Sequence, residues 1–346
     1  MLTRHALCFF VAAATFGCGG KYGGGNSGTT TPAKPGTPKG GLAMASLPYQ
    51  VLDRGGRTVD EAAFWAYLQK ARAVCVGEDH PNPHHHWVQL RVVEEIGKRK
   101  PAKLGLGLEM IQRPFQGPLD DYSAKRIDAA ALRSRVGWEE RWGYDWEFYG
   151  PTIDAAIQSG ASLIALNASK ELSKKISRQG LDSLTPEEKA NVPELKLDDA
   201  THRAWFDGLM SEMGGAGAHS QKKEGDPAEV KPDPHKEKEN PHKSPHGAAP
   251  PMPSAERIYT VQVLWDETMA DLSAKWLAAN PSGQLVILAG NGHCHDSAIV
   301  ARLKRRGVAD VVSVRPVIDT EGEVARVLAK PMNDYVVVMQ LPAGTK

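Results

Sequence analysis

Five short runs of almost uninterrupted apolar residues constrain this chain most. They are Ala73–Gly77, Leu104–Met110, Ser162–Asn167, Leu285–Gly290 and Val311–Arg315. Side chains alternate between the two faces of a strand, so a strand that is apolar throughout must be covered on both faces, as in a parallel sheet flanked by helices. A sixth run, Tyr335–Leu341, completes the set. Between the runs lie segments with a helical apolar stripe: His86–Lys98, Phe148–Ser159, Ser169–Arg178 and the long Ala255–Ala279. Strand–helix alternation of this kind predicts an α/β fold, a mostly parallel sheet with right-handed crossovers. The stretch 113–147, with Trp138, Trp142 and Trp146, reads as a small helical subdomain set on that sheet.

Not all 346 residues can join the fold. The 34 Gly and 24 Pro are concentrated in two places. Residues 19–42 contain nine Gly, four Thr and three Pro. Residues 214–253 contain eight Pro, with six Lys balancing six acidic residues and only Val230 and Met252 as large apolar side chains. Neither segment can bury a core. The first reads as a flexible tether and the second as a disordered His/Pro/Lys/Glu-rich insertion. Upstream, Arg4 and His5 precede the apolar run Ala6–Phe16, too short to span a bilayer and of the length of a secretory leader. The run ends in Thr15-Phe16-Gly17-Cys18, which resembles a bacterial lipobox with Cys18 as the acylated residue. Gly19 behind it, by resemblance to sorted lipoproteins, favours the outer membrane. The expected organisation is a leader over 1–17, a tether over 18–42, and one α/β domain over 43–346 interrupted by 214–253. With 42 basic against 41 acidic residues, bulk charge excludes a nucleic-acid partner. Of four cysteines, Cys75 and Cys294 belong to the folded part. Two cysteines of an exported protein can pair, but sequence does not bring their Cα atoms within bonding reach, so whether they do stays open.

Open parallel sheets bind ligands at the carboxyl ends of their strands. Here two strands leave through the same pattern, Gly77-Glu78-Asp79-His80 and Gly290-Asn291-Gly292-His293, and a third ends in Glu109. Two imidazoles and a carboxylate delivered by three strand ends, His80, His293 and Glu109, suit a divalent metal such as Mn²⁺, Co²⁺ or Zn²⁺. His84-His85-His86 opens the next helix. Successive helical residues point about 100° apart, so only one or two can face the cleft; His85 is expected there, with His86 behind it. His219, His235, His242 and His246 punctuate the insertion and read as part of a solvated linker. The aromatic segment Trp138–Tyr149 either packs as core or lines an apolar pocket in which a tyrosine reaches iron, tyrosinate being a haem ligand.

Together these residues resemble the ChaN-like haem-binding lipoproteins of the Tiki superfamily. The resemblance rests on Gly77-Glu78-x-His80 with His85-His86 and Gln89, on Glu109-Met110, on Trp146 with Tyr149-x-Pro151, on Ala165-x-Asn167-Ala168-Ser169 with Leu181, on Gln262-x-x-x-Asp266-x-x-Met269-Ala270, and on Ala289-Gly290-Asn291-Gly292-His293. It implies an outer-membrane-tethered protein that binds haem in iron acquisition, with a homodimer as a further partner. His80, His85, Tyr149 and His293 would then contact the cofactor, with Tyr122 and Tyr144 standing behind Tyr149. The superfamily also contains metal-dependent peptidases and is related to erythromycin-esterase-like folds. The alternative it implies is a metallohydrolase in which His80, Glu109 and His293 hold the metal and Glu78 is the general base. A binding protein is the leading expectation, an enzyme the alternative. The 214–253 insertion departs from the family pattern.

Overall fold

Alternating strand residues feed two separate cores. The computed structural model describes residues 47–99, 101, 103–214, 253–320 and 322–341. The leader, Cys18, the tether and the insertion with its four histidines lie outside the described residues, apart from Gly214 and Pro253. The strands are β1 Tyr49–Asp53, β2 Thr58–Val59, β3 Ala73–Val76, β4 Lys103–Gln112, β5 Ser162–Asn167, β6 Gly283–Leu288, β7 Val311–Ile318 and β8 Tyr335–Met339. The helices are α1 Glu61–Leu68, α2 Pro83–Lys98, α3 Gln116–Ser123, α4 Ala129–Val136, α5 Trp138–Arg141, α6 Gly150–Gln158, α7 Lys170–Gln179, α8 Pro186–Lys189, α9 Ala200–Gly214, α10 Ala255–Ala279, α11 Ile299–Arg305 and α12 Glu323–Ala329. Val74 and Val76 on β3, with Val286 and Leu288 on β6, pack under Val88, Val92 and Ile96 of α2 and Ile153 of α6. Ala73, Cys75, Leu285 and Ile287 face the opposite way, against Met269 and Ala270 of α10 and Ile299, Val300 and Leu303 of α11. This double cover is why the runs are apolar without alternation.

The eight strands form one sheet in the order β2-β1-β8-β7-β3-β6-β4-β5. Every pairing from β8 across to β5 is parallel. Only β1 runs antiparallel, to β8 and to the two-residue β2. That edge hairpin was not predicted, because its strands are short and half polar. At the other edge, the Gln116 side chain donates to the Leu163 carbonyl (2.9 Å) and accepts from the Ala165 N–H (2.8 Å), so an amide closes an edge open to further pairing.

Topology fixes the site. After β3 the chain crosses to β4 on one side, whereas after β6 it crosses to β7 on the other, and β3 and β6 are neighbours. Their carboxyl ends therefore flank a topological switch point, where the crossovers part and leave a crevice. Neighbourhood of β3 and β6 also settles the question of the cysteines. Cys75 and Cys294 form a disulfide with a Cα–Cα distance of 5.3 Å, across 219 residues of sequence. That separation is what hid the pairing. Contact comes from the strand order alone.

Candidate functional site

Three strand exits interlock through glycine. A Cβ on Gly77 would lie 2.1 Å from Asn291 Oδ1, and one on Gly290 would lie 3.1 Å from His80 Cε1. Without side chains at these positions the two Gly-x-x-His turns close on each other: the Asn291 N–H donates to the Glu78 carbonyl (2.8 Å) and its amide donates to Asp79 Oδ1 (2.9 Å). The third exit joins through Glu109, whose Oε2 accepts from the Gly290 N–H at 2.7 Å. Glu109 can reach because β4 is irregular there: the four-residue step from Leu108 to Gln112 matches a two-residue step, Ala165 to Asn167, on β5. Such bulges re-aim side chains beside sites.

The structure thus brings His80, Glu109 and His293 together, each in a different setting. Glu78 is fully buried under His80. His80 Nδ1 lies 2.6 Å from Glu78 Oε1, and because an ionised carboxylate only accepts, Nδ1–H donates. His86 Nδ1 lies 3.0 Å from Glu78 Oε2, and the Tyr149 hydroxyl donates to Oε1 at 2.8 Å. Burial would raise the Glu78 carboxyl, but the charge of His86 and the hydrogen bond from His80 outweigh it and hold it well below the ordinary carboxylate range. His80 is raised in turn: desolvation opposes its charge, and Glu78 overcomes it.

His293 has a matching arrangement. Its Nδ1 lies 2.6 Å from Asp266 Oδ1 on α10, and its Nε2 lies 3.4 Å from Glu109 Oε1. Burial alone would lower this imidazole, but Glu109 and Asp266 together push it up to about 9. Among the described residues, no group of three or more His, Cys, Asp or Glu is arranged to hold a metal ion. Glu109 contacts the His293 Nε2 side, and His80 and Glu109 both lie against Gly290.

The rim is aromatic. The His80 ring stands edge-on to Trp142 (4.7 Å between centroids) and tilted to Tyr144 (4.9 Å). Its side chain is 18% exposed and that of His293 10%. Trp142 and Tyr144 are half-buried, whereas Trp138, Trp146 and Tyr149 are core. The aromatic segment therefore does both jobs: some rings pack, and two line the cleft. Tyr149, the expected iron ligand, points inward at Glu78; burial and that negative charge push its phenol well above its ordinary value, which disfavours the tyrosinate. Tyr122 donates to Asp154 (2.6 Å) and takes no part in the site.

The histidine run divides differently from the expectation. Asn82 caps α2, accepting from the His84 and His85 N–H groups, with Pro83 in the first turn. This phase buries His85 against the β3 exit, where Nδ1 accepts from the Asp79 N–H (2.9 Å) and burial lowers it to about 4. His86 instead underlies the site, stacked on Phe148, its Nε2–H donating to the His80 carbonyl (2.9 Å). Residues absent from the sequence-based site complete it. Asp266 contacts His293; His202 of α9 lies behind Asp266; Gln262 donates to the Gly292 carbonyl (3.3 Å); the Trp205 ring packs tilted against His295 (4.4 Å between centroids). Gln262 and Asp266, one helical turn apart, carried the only available signal.

In open α/β sheets the switch point is where ligands bind, and here it carries His80, Glu109 and His293. Residues 64–303 match the family described as "Haem-binding uptake, Tiki superfamily, ChaN", and the chain belongs to that family. Among solved structures, one described as "Cofacial heme binding to ChaN of Campylobacter jejuni" superposes with a TM-score of 0.58 at 16% identity, covering 84% of this chain and 96% of that one. That likeness shows the fold. A mutant of the erythromycin esterase EreC in its open conformation aligns over 84% of this chain and 97% of its own at 11% identity, with a TM-score of 0.41, too low to carry an argument. The protein RETICULATA-RELATED 5, chloroplastic, of Arabidopsis thaliana is 27% identical over 136 residues, which span 38% of this chain and only 18% of that relative.

Proposed function

We propose that the protein binds haem across the carboxyl ends of β3, β4 and β6. The observation that carries this is the state of His80. Buried Glu78 grips Nδ1, leaving Nε2 as the ligating nitrogen, and the ring sits partly exposed between Trp142 and Tyr144. A carboxylate behind an imidazole fixes its tautomer and strengthens it as a metal ligand, and flat aromatic walls suit a porphyrin face. The donor set therefore fits haem, with His80 and His293 as the imidazoles and Trp142 and Tyr144 as the walls. When bound, haem supplies a ferric iron that accepts nitrogen ligands. Tyr149 supports the site from below through Glu78.

The same reading places the protein in the cell envelope, as a lipoprotein anchored through Cys18 and serving iron acquisition, with a homodimer as a further arrangement of the family. The Cys75–Cys294 disulfide supports an oxidising compartment. Among the described residues, no helix is long and apolar enough to cross a membrane. Titration of the protein with ferric haem tests the proposal: a shifted Soret band with micromolar or tighter affinity, lost in His80→Ala and kept in Tyr149→Phe, is expected. Wild-type affinity in His80→Ala would overturn it.

One observation favours a second reading. Two carboxylate–imidazole pairs, Glu78–His80 and Asp266–His293, are also what acid–base hydrolysis requires. In that case His80 Nε2 would accept the proton, since Glu78 is buried and engaged by three neighbours. Ester or peptide turnover without added metal, abolished in His80→Ala, would favour it.

A further inference from the structure

Asp266 is completely buried in the middle of α10, between Val263 and Met269 of the core. A buried carboxylate is costly unless paired, so its presence there calls for a role. Pairing α10 to α11 is not that role. The adjacent Glu267 already does it, with Arg302 Nε at 3.3 Å, Arg306 at 2.7 Å and Arg305 also in contact. Asp266 instead turns toward the site. Its Oδ1 lies 2.6 Å from His293 Nδ1, its Oδ2 lies 3.1 Å from His202 Nε2, and Arg302 stands 4.0 Å away. His202 is held on its far side by the Tyr259 hydroxyl, 3.2 Å from Nδ1.

We propose that Asp266 is the positioning residue for His293: it takes the Nδ1–H bond, so that Nε2 is the nitrogen presented to the cleft beside Glu109, and His202 and Arg302 hold Asp266 in place. The inference rests on the haem reading and names what readies the second imidazole. Two groups compete for His293 Nδ1. The Gln262 amide nitrogen stands at 3.2 Å and could only donate to it, which would put the proton on Nε2. Asp266 stands at 2.6 Å and is charged. Charge-assisted hydrogen bonds are shorter and roughly twice as strong as neutral ones, so Asp266 wins, and the Gln262 amide goes to the Gly292 carbonyl. The outcome repeats on the β6 exit what Glu78 does for His80 on the β3 exit.

Two readouts on the full chain test this. In the haem-free protein with ¹⁵N-histidine, with the His293 signals assigned through His293→Gln, the expected spectrum shows a hydrogen-bonded, downfield proton on Nδ1 that is lost in Asp266→Asn. A bare Nδ1 in the wild type, with the proton on Nε2, would overturn the proposal. In ferric haem titrations, Asp266→Asn is expected to weaken binding roughly 10–100-fold, and to add nothing when His293 is already alanine. Wild-type affinity in Asp266→Asn, or additive losses in the double variant, would overturn it. Should Asp266→Asn not fold, as judged by circular dichroism, His202→Gln is the second variant. It is expected to lower affinity less than His293→Ala but by no further amount in the His293→Ala background; an unchanged affinity and an unchanged Nδ1 signal would refute the support from His202. If the wild type binds no haem at all, the haem reading fails, and the Nδ1 signal alone decides for or against Asp266.

Discussion

Breaking the Cys75–Cys294 disulfide is the sharpest perturbation of this fold. The bond closes 219 residues of sequence, and chain entropy for a loop of that length gives about 5 kcal/mol at 25 °C. That is large beside the 5–15 kcal/mol typical of a folded domain. The native state should survive the loss, because β3 and β6 remain paired through their backbones from Ala73↔Leu285 to Val76↔Leu288. Both cysteines are fully buried against the α10–α11 face, so the Cys75→Ala/Cys294→Ala variant leaves a small cavity that adds to the deficit. The assay is urea unfolding followed by tryptophan fluorescence, in a background with Cys8 and Cys18 replaced by alanine. With an m-value near 3 kcal/mol/M, about 5 kcal/mol corresponds to a midpoint lowered by roughly 1.5–2 M. The expected result is that drop with an m-value at or above the parent's, since freeing the denatured chain exposes more surface, together with weaker haem binding, since Cys294 sits beside His293. A midpoint within about 0.3 M of the parent, or two reactive thiols in the unreduced, denatured parent, would refute the reasoning.

Stability should peak near pH 6.5–7 and fall on both sides. His85 and His295 are neutral in the fold, pushed by burial to about 4 and about 3; depressed imidazoles contribute stability above the unfolded value near 6.5 that is lost as pH falls, so His295→Phe should flatten the acid limb of thermal-melt midpoints. His293, raised to about 9, acts with the opposite sign: its contribution, about 3 kcal/mol, is complete below pH 6.5 and lost as pH rises toward 9. His293→Gln should remove that alkaline limb, and an unchanged limb would contradict the ion pair with Asp266 and Glu109. Gly77→Ala forces a Cβ to within 2.1 Å of Asn291 Oδ1, so the Asn291 amide must swing away from its bond to Asp79; a loss of about 1–3 kcal/mol in denaturant unfolding is expected, with haem affinity falling alongside. Glu78→Gln keeps the shape but leaves His80, His86 and Tyr149 around a neutral amide, and should cost about 3–5 kcal/mol as a broken buried charge network, measured in the same unfolding experiment.

The sheet was legible because burial on both faces writes itself into composition. Each of the six predicted runs became a strand, and Ala255–Ala279 is a helix over the same bounds. The boundaries that moved have tertiary causes. β4 runs on to Gln112 through the irregularity that aims Glu109, and β7 runs on to Ile318 because β8 pairs with it. The β1–β2 hairpin stayed hidden because a short antiparallel edge alternates too briefly to register. In the site, strand-end residues were readable, since the parallel-sheet rule says where to look. Residues that reach the site from elsewhere were not placed in it: Asp266 showed only as part of the α10 motif, and His202 looks like an ordinary helix residue until α9 and α10 pack. His85 and His86 exchanged places because the phase of α2 depends on the Asn82 cap. The direction of Tyr149 was hidden for a similar reason: a tyrosine beside tryptophans fits a cofactor wall, and only the burial of Glu78 behind it shows which way the hydroxyl turns.

The central claim is that His80, gripped by Glu78, offers its Nε2 to a haem iron. Electron–nuclear double resonance on the ferric haem complex, prepared with ¹⁵N-histidine protein, reads this directly. The account predicts strong ¹⁵N coupling from a ligating imidazole that disappears in His80→Ala while persisting in Tyr149→Phe. A spectrum with no histidine nitrogen coupling, or one that His80→Ala leaves unchanged, would contradict it.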